Sequence, residues 1–253
     1  MSNTYSTSQI AKIVGVHPNT VRLYESLELI PPAIRKNNGY RVFNDYHIEQ
    51  FKLAKMALKV DVLQNGLRKK AIMIIKLSAK FNIYEALMLA KEYLTKLRDE
   101  QENAEEAIAI VNDILKNKET PPNIKTLTRK QTAEYLNISI DTLRNWELNG
   151  LIKIKRSQNG YRVYTYEDIL TLKVIRSLRC ANYSLSAILR MLSAFSDNPD
   201  INIREVINTP NYNEEIVSVC DKLISSLKEA EFYAIQIISQ LEKMLSYLQY
   251  QVL

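Results

Sequence analysis

Cysteine, glycine and proline are scarce in this chain, and each shortage narrows the choice of fold. Its 253 residues include two cysteines, two histidines, five glycines and seven prolines. Two cysteines cannot build a disulfide framework, and so few Cys and His residues lack the ligand clusters of a structural zinc site. The shortage of glycine and proline disfavours an all-β fold, which needs many turns, and favours long helices.

Long apolar segments are also missing. The sequence has no run of about 18 apolar residues, so it predicts no membrane span. The first residues, MSNTYSTSQI, have neither a basic start nor an apolar stretch and do not resemble a secretory signal. We therefore expect an intracellular protein, cytoplasmic and associated with the nucleoid, whose 46% hydrophobic residues suffice for a core.

Charge is distributed in four alternating blocks, although the formal net charge is only +6. Residues 1–80 carry 13 basic and 5 acidic side chains, and residues 125–190 carry 12 and 5. The blocks at 81–124 and 191–253 are acidic, with 5 basic and 9 acidic side chains in the first and 4 and 9 in the second. This alternation indicates two copies of one plan.

An internal repeat supports the same conclusion. Residues 10–30 align with residues 132–152 at an offset of 122, and NGYRVF at 38–43 aligns with NGYRVY at 159–164 at an offset of 121. Chance rarely places two matches in the same order at nearly the same spacing. The identical pairs of the first alignment include Ala11 and Ala133, Thr20 and Thr142, Arg22 and Arg144, and Glu25 and Glu147.

Each repeat predicts a helix-turn-helix followed by a hairpin. In the first repeat we expect helices over Ser8–Val14 and from Pro18 to about Leu27, joined by a turn at Gly15. The hairpin turns at 37–39, because Asn-Gly tolerates positive φ. Another helix then begins near Asn44. In the second repeat the corresponding elements are helices at about 129–136 and 140–148, a turn at 158–160 and a helix from about Tyr166.

A long helix closes each repeat. From Ile83 and from Ile216, apolar residues recur in alternating steps of four and three for nearly five heptads. This spacing predicts a coiled-coil seam, and an amphipathic helix lying on its own domain is the alternative.

The expected fold class is therefore mainly α, with two winged helix-turn-helix domains that are each followed by a long coiled-coil helix. The domains are a first winged helix-turn-helix at 1–80, a first coiled-coil helix at 81–118, a linker at 119–126, a second winged helix-turn-helix at 127–195, an irregular connector at 196–212 and a second coiled-coil helix at 213–253.

The second helix of each helix-turn-helix is the expected site of DNA contact. Such a helix enters the major groove with its N-terminal residues nearest the base edges, and arginines further along reach phosphates. For Tyr24 and Trp146 core packing is the alternative, although Val21 and Leu23 are better core candidates. The expected contact residues are His17, Asn19, Thr20, Arg22 and Tyr24, and in the second copy Ser139, Asp141, Thr142, Arg144 and Trp146.

The hairpin of each repeat is basic and carries a tyrosine. A basic, aromatic hairpin beside such a helix suits a wing that grips phosphate. A solvated surface charge is the alternative for any single Arg or Lys, but recurrence in both copies argues against it. The wing residues are Arg35, Lys36, Tyr40 and Arg41, and in the second copy Lys155, Arg156, Tyr161 and Arg162.

Both repeats resemble the DNA-binding domain of the MerR family of bacterial transcription regulators. The matching segments are TSQIAKIVGVHPNTVRLYESLELI with NGYRVF, and TRKQTAEYLNISIDTLRNWELNGLI with NGYRVY. The resemblance implies two winged domains on one pseudo-palindromic double-stranded operator, an antiparallel coiled coil between them, and bending or untwisting of a promoter for RNA polymerase. It also implies DNA contacts at Thr20, Arg22, Tyr24, Tyr40 and Arg41, and at Thr142, Arg144, Trp146, Tyr161 and Arg162.

The chain departs from the family pattern by carrying two such domains. A homodimer that became one chain would explain this, with Ala90 opposite Leu241 and Leu97 opposite Ala234 in an antiparallel pair. We predict a monomeric pseudo-dimer, and a homodimer of two such chains is the alternative. The leading residues of the two helices differ, so the operator can be asymmetric. Asp141 either accepts from cytosine N4 or only complements the helix dipole.

Two other functions stay open at this point. One is an architectural DNA-bending or recombination factor of a mobile element, and the other is an effector-responsive sensor with a small-molecule pocket. No enzymatic activity, cofactor or metal is expected, and Cys220 is interpreted as a core cysteine because Leu87 holds the matching position. The aromatic residues that could line a pocket, or simply pack, are Tyr84, Tyr93, Phe195, Tyr212, Phe232 and Tyr233.

Overall fold

A computed structural model describes residues 3–59, 66–116, 126–156, 160–210 and 219–251, without the side chains of 219, 220 and 249–251. These residues are mainly helical, as predicted. The elements of the first repeat are β1 (Thr4–Tyr5), α1 (Thr7–Val14), α2 (Pro18–Ser26), β2 (Ile34–Arg35), β3 (Arg41–Asn44), α3 (Asp45–Leu58), α4 (Leu67–Ala79) and α5 (Ile83–Lys116).

The second repeat follows a similar order with one additional α-helix. Its elements are β4 (Leu127–Thr128), α6 (Arg129–Tyr135), α7 (Ile140–Leu148), β5 (Val163–Tyr164), α8 (Tyr166–Cys180), α9 (Leu185–Asp197), α10 (Ile203–Asn208), a 3₁₀ turn (Val219–Lys222) and α11 (Leu223–Gln251). The addition is α10, which lies in the expected irregular connector.

The chain divides into two compact units, each of which contains one helix-turn-helix. Unit 1 consists of residues 1–99 and 227–253, and unit 2 consists of residues 100–226. Each long helix therefore contributes residues to both units. Most of the linker expected at 119–126 lies outside the described residues, as does Tyr212.

Side-chain caps start the first helix of each helix-turn-helix. Ser6 accepts a hydrogen bond from the backbone of Gln9, whose side chain accepts from the Ser6 backbone. Thr128 and Gln131 form the same capping box in the second repeat. Such reciprocal pairs satisfy two N–H groups and fix where a helix begins. The entry of the chain into each helix-turn-helix is therefore set locally.

Both wings contain antiparallel pairing. In unit 1, β2 and β3 form the hairpin, and β1 pairs with the other edge of β3. Gly39 has a φ of +81°, in the left-handed region expected for the Asn-Gly turn. In unit 2, Arg156 and Arg162 form an antiparallel bridge, and residues 158 and 159 of the expected turn lie outside the described residues.

The core of the first winged domain lies between α1, α2, β3 and α3. It includes Val21 and Phe51, and the ring of Tyr24 stacks on Phe51 with centroids 5.1 Å apart. The prediction for Val21 is confirmed, because this residue is fully buried. The prediction for Leu23 is wrong, since this residue is 52% exposed. Two residues along a helix turn the direction by about 200°, so Val21 and Leu23 cannot both face the core.

The long helices bury most of the predicted seam. The start of α11 differs from the prediction, because residues 219–222 form a 3₁₀ turn and the helix begins at Leu223 rather than near 213. Residues 211–218 lie outside the described residues. The buried seam positions of α5 are Ile83, Leu87, Ala90, Leu97, Ala104, Ile108 and Val111, and those of α11 are Leu223, Leu227, Ala230, Ala234, Ile237, Leu241 and Met244.

The aromatic residues considered for a pocket lie in different surroundings. Tyr93 is fully buried, whereas Tyr84 and Phe232 are more than half exposed. Tyr233 packs its ring edge to face with Phe232 and lies under the ammonium group of Lys59. These contacts fit the packing alternative for Tyr93 and Tyr233.

Candidate nucleic-acid interface

The expected DNA-reading helix of unit 1 is α2, and its start is fixed by His17. The His17 Nδ1 atom accepts a hydrogen bond from the backbone N–H of Asn19 at 3.1 Å, which caps the helix. The Asn19 side chain accepts from Arg22 at 2.8 Å. Sequence reasoning placed His17 at the base edges, but one of its two ring nitrogens is used inside the protein. Asn19 and Arg22 are exposed, and Thr20 is half-buried beside them.

Unit 2 uses a serine in the same way. Ser139 caps α7 by accepting from the backbone N–H of Thr142 at 3.0 Å, and its hydroxyl lies 2.8 Å from the Thr142 hydroxyl. Asp141 and Arg144 are exposed. Trp146 is only 5% exposed, so the packing alternative describes most of its ring. The two helices, α2 and α7, thus present different side chains from similar positions.

A glutamate holds the wing of unit 1 against α2. Glu25 accepts from Arg41 of the wing at 2.5 Å and from the backbone N–H of Ala33 at 3.1 Å. The repeat alignment paired Glu25 with Glu147, but sequence reasoning assigned neither residue a role. The Arg41 guanidinium is bound to Glu25 within the domain, so this side chain positions the wing against α2.

The corresponding cluster of unit 2 has one more arginine. Glu147 accepts from Arg129 at 2.6 Å, pairs with Arg162 at 2.7 Å, and also accepts from the hydroxyl of Tyr164. Burial, together with the bond to Glu147, raises the pKa of Tyr164 to about 12, so this hydroxyl stays protonated as a donor. Three donors converge on one carboxylate, which ties α6, α7 and the wing together.

The tyrosine side chain of each wing is exposed to solvent. Tyr40 is 71% exposed and Tyr161 is 73% exposed. Lys36 and Arg156 lie on the same wings and are exposed as well. A large aromatic side chain held in solvent at the same position of two domains is a feature of binding surfaces rather than of cores.

An open groove runs along α2 and another along α7. The groove of unit 1 lies between the start of α1, α2 and the wing, and the expected residues that line it are Arg22, Lys36, Tyr40 and Arg41. The groove of unit 2 lies between α7 and the end of α8, and the expected residues that line it are Ser139, Asp141, Thr142 and Trp146.

Sequence reasoning missed two arginines of the second groove. Arg176 and Arg179 of α8 line it opposite α7. They lie outside the helix-turn-helix and the wing, so no motif pointed to them. The sequence indicates these two arginines only through the overall basic charge of residues 125–190. They give the second groove two cations facing the helix that carries Asp141.

The described residues contain no sign of a membrane span or of a metal site. No helix among them is long and apolar enough to cross a membrane. No group of three His, Cys, Asp or Glu side chains in these parts of the chain could hold a metal ion. Cys180 is exposed with a free thiol, and the side chain of Cys220 is not described.

Two helices joined by a short turn, with an antiparallel wing docked on the second helix, occur once in each unit. The fold therefore defines a protein with two winged helix-turn-helix domains. Comparison with family models identifies both of them. A model of the MerR family regulatory protein matches residues 6–43, and a model of the MerR HTH family regulatory protein matches residues 127–194. The chain carries two MerR-family helix-turn-helix domains in tandem.

The curated relatives that match this chain are transcriptional regulators by name. The chain is 36% identical over 53 residues to the HTH-type transcriptional regulator CueR of Escherichia coli O157:H7, a match that covers 21% of this chain and 39% of the relative. It is 39% identical over 77 residues to a probable heavy metal-dependent transcriptional regulator of Haemophilus influenzae, a match that covers 30% of this chain and 59% of the relative. The matches thus span less than two thirds of these relatives. No solved structure matches the chain.

Proposed function

We propose that this protein is a sequence-specific, DNA-binding transcription regulator that places its two winged domains on one operator. The observation that carries the proposal is the arrangement present in both units, in which an Arg–Glu ion pair docks a wing with an exposed tyrosine against the helix-turn-helix. Arg41 and Glu25 form this pair in unit 1, and Arg162 and Glu147 form it in unit 2. A wing fixed in this way presents its tip and the helix as one surface, as contact with a groove and the adjacent backbone requires.

The single-chain pseudo-dimer is part of the proposal. Within unit 1, Arg98 of α5 pairs with Glu231 of α11 at 2.7 Å. The register of this contact agrees with a pairing in which Leu97 faces Ala234. An antiparallel direction is supported because residues 83–99 of α5 share unit 1 with residues 227–251 of α11. Leu97 and Ala234 are both buried. Two domains of one chain can then serve two half-sites, and bending or untwisting of the DNA between them is the mechanism we propose.

The half-sites of such an operator need not be identical. The start of α2 carries Asn19, whereas the start of α7 carries the exposed carboxylate of Asp141. A carboxylate repels phosphate and can accept from the N4 amino group of cytosine, whereas the amide of Asn19 suits adenine. We therefore propose an asymmetric operator, with RNA polymerase as the protein that responds to its distortion.

The test is selection of bound fragments from genomic DNA by the purified full chain, followed by footprinting of the enriched fragments. We expect one protected region inside a promoter, holding two unlike half-sites about two helical turns apart. Clustered sites outside promoters would instead favour the architectural function. An absence of enrichment over random DNA would refute specific recognition.

A further inference from the structure

The outward faces of the two expected DNA-reading helices differ in chemistry at aligned positions. On α2, Leu23 follows Asn19 by four residues, and on α7, Asn145 follows Asp141 by the same step. Residues four apart lie on one face of a helix. All four side chains are exposed. The second position of this face is therefore apolar in unit 1 and polar in unit 2.

The burial of the two helices supports this alignment. Both helices have nine residues. An offset of 122 pairs Val21 with Leu143, and both residues are fully buried. The same offset pairs Leu23 with Asn145, and both residues are exposed. The aligned helices thus turn the same faces toward the core and the same faces toward solvent.

The groove of unit 2 indicates which way this position faces. Asn145 lines the groove together with Asp141 and Thr142, which are expected to contact DNA. Its Oδ1 atom accepts a hydrogen bond from the Asn149 side chain at 2.5 Å, which leaves its amide N–H groups to donate to an acceptor on a base. Because Leu23 holds the aligned position of α2, it faces the corresponding side of unit 1.

The charges next to Leu23 in the sequence are compatible with a contact to DNA. Arg22, which precedes it, is exposed. Two carboxylates follow, and both have cationic partners: Glu25 pairs with Arg41, and Glu28 lies 3.5 Å from the lysine that follows α4. An apolar side chain bordered by a cation and by paired carboxylates can approach a polyanion without repulsion.

Leu23 is 52% exposed, and Leu27 continues the same face with 49% exposure. Leu27 follows Ser26, the last residue of α2, whereas Leu23 lies in the middle of the helix. The N-terminal part of such a helix is nearest the base edges. Leu23 is only about 6 Å along the helix axis from Asn19. Of these two leucines, Leu23 is therefore the one within reach of a base.

We propose that Leu23 determines specificity by contacting the C5-methyl group of a thymine in the half-site bound by unit 1. This role of Leu23 rests on the proposed DNA-binding function and adds one residue and one base to it. In the major groove this methyl group distinguishes thymine from the other three bases, and apolar side chains recognise it. At the aligned position of unit 2, the amide of Asn145 recognises a hydrogen-bond acceptor instead, so the two half-sites differ here.

The experiment uses the full chain and the operator obtained by genomic selection and footprinting. The half-site of unit 1 is the one whose protection Arg22→Ala removes. Each thymine of that half-site is replaced in turn by deoxyuridine, which lacks the methyl group but keeps the same hydrogen-bonding atoms. Burial of one such group corresponds to about fourfold in affinity. We expect one replacement to weaken wild-type binding by about that factor, measured by fluorescence anisotropy.

The variant Leu23→Ala connects the methyl group with this side chain. It should bind the unmodified operator at least about fourfold more weakly and lose the response to deoxyuridine. Met73→Ala is the matched control, because Met73 is an exposed apolar residue of α4 in the same unit, and it should keep the wild-type response.

The fold of the variant is checked by thermal unfolding. Leu23→Ala should unfold at the wild-type temperature, because the side chain is more than half exposed and alanine favours a helix. If alanine lowers the unfolding temperature, Leu23→Gln keeps the length and the helical propensity of the side chain. It should lose the response to deoxyuridine as well.

The same measurements distinguish the role of Leu23 from the proposed function. Failure to enrich any operator would refute sequence-specific binding and the role of Leu23 with it. A specific operator whose unit 1 half-site has no thymine, or tolerates every deoxyuridine, would overturn the role of Leu23 alone. A deoxyuridine effect that a folded Leu23→Ala retains would also overturn it, because the methyl contact would then belong to another residue. Equal weakening of Leu23→Ala binding to all DNA sequences would do the same.

Discussion

At the scale of single residues, one glutamate in each unit connects the wing to the helix-turn-helix. Glu147 has a side-chain exposure of 9% and holds two arginines, so neutralising it leaves two cations without their nearest counter-charge. We expect Glu147→Gln to destabilise the protein by about 1–3 kcal/mol. Thermal unfolding of the full chain measures this. The matched control is Glu134→Gln, whose partner Lys130 lies 4.0 Å away at the surface and which should change stability by less than about 0.5 kcal/mol.

The wing of unit 1 carries two cations with different expected roles: Arg41 positions the wing, and Lys36 is exposed. Arg41 is bound to Glu25, so Arg41→Ala should lower the unfolding temperature and weaken binding to all DNA sequences alike. Lys36 is exposed, so Lys36→Ala should leave the unfolding temperature unchanged. Its loss should reduce the slope of log affinity against log salt by about one, as expected for one phosphate contact. An unchanged salt slope would show that Lys36 does not neutralise phosphate.

At the scale of elements, one carboxylate links α3 to α11 within unit 1. Glu49 accepts from Lys52, Gln240 and Lys243 at distances between 2.7 and 3.0 Å. Burial acts to raise the pKa of Glu49, but these three donors outweigh it and lower the pKa from 4.5 to about 2. Since the folded-state pKa is the lower one, the stabilisation is present above pH 4.5 and is lost as the pH falls toward about 2.

We therefore expect Glu49→Gln to destabilise the protein at pH 7 by about 1–2 kcal/mol, a value reduced for partial solvent screening. The difference from wild type should shrink between pH 4.5 and about pH 2. Thermal unfolding at a series of pH values measures both quantities, and Glu102→Gln, at an exposed position of α5, is the control. A difference that did not depend on pH would contradict this role of the Glu49 charge.

The elements that the sequence predicts best are those with local signals. The helix-turn-helix, the Asn-Gly turn of the first wing and the start of α5 at Ile83 follow from caps, turn residues and helical spacing, and the structure confirms them. The exposure of Leu23 could also have been foreseen, because the 3.6-residue period sets it opposite Val21. The capping role of His17 was within reach too, since it directly precedes the proline that begins α2.

Other features depend on contacts far apart in the sequence and leave no local signal. Glu25 and Arg41 are separated by 16 residues, and their pairing is decided by how the wing docks. The position of Arg176 beside α7 depends on the packing of α8 within unit 2. The 3₁₀ turn before α11 carries Asp221, whose carbonyl accepts from Arg190 of α9, 31 residues earlier in the chain. The DNA contacts themselves stay predictions.

At the scale of the whole molecule, the pseudo-dimer predicts that the two domains can be disabled separately. Arg22→Ala should remove footprint protection over one half-site, and Arg144→Ala should remove it over the other, because each residue belongs to a different unit. In sedimentation equilibrium the free protein should have the mass of one chain, 29.3 kDa. A species of twice that mass at micromolar concentration, or loss of both half-sites from either substitution, would contradict the single-chain arrangement.

The division of the chain into units has a consequence for biosynthesis. Unit 2 is continuous, from residue 100 to residue 226, whereas unit 1 needs residues 227–253 as well as residues 1–99. Translation proceeds from the N-terminus, and domains generally fold as units. Unit 2 can therefore complete its fold on the ribosome before the final helical segment of unit 1 is available. A premature stop just after residue 226 would therefore release a nascent chain whose second DNA-binding domain is whole and whose first one, although made earlier, still lacks part of its structural support.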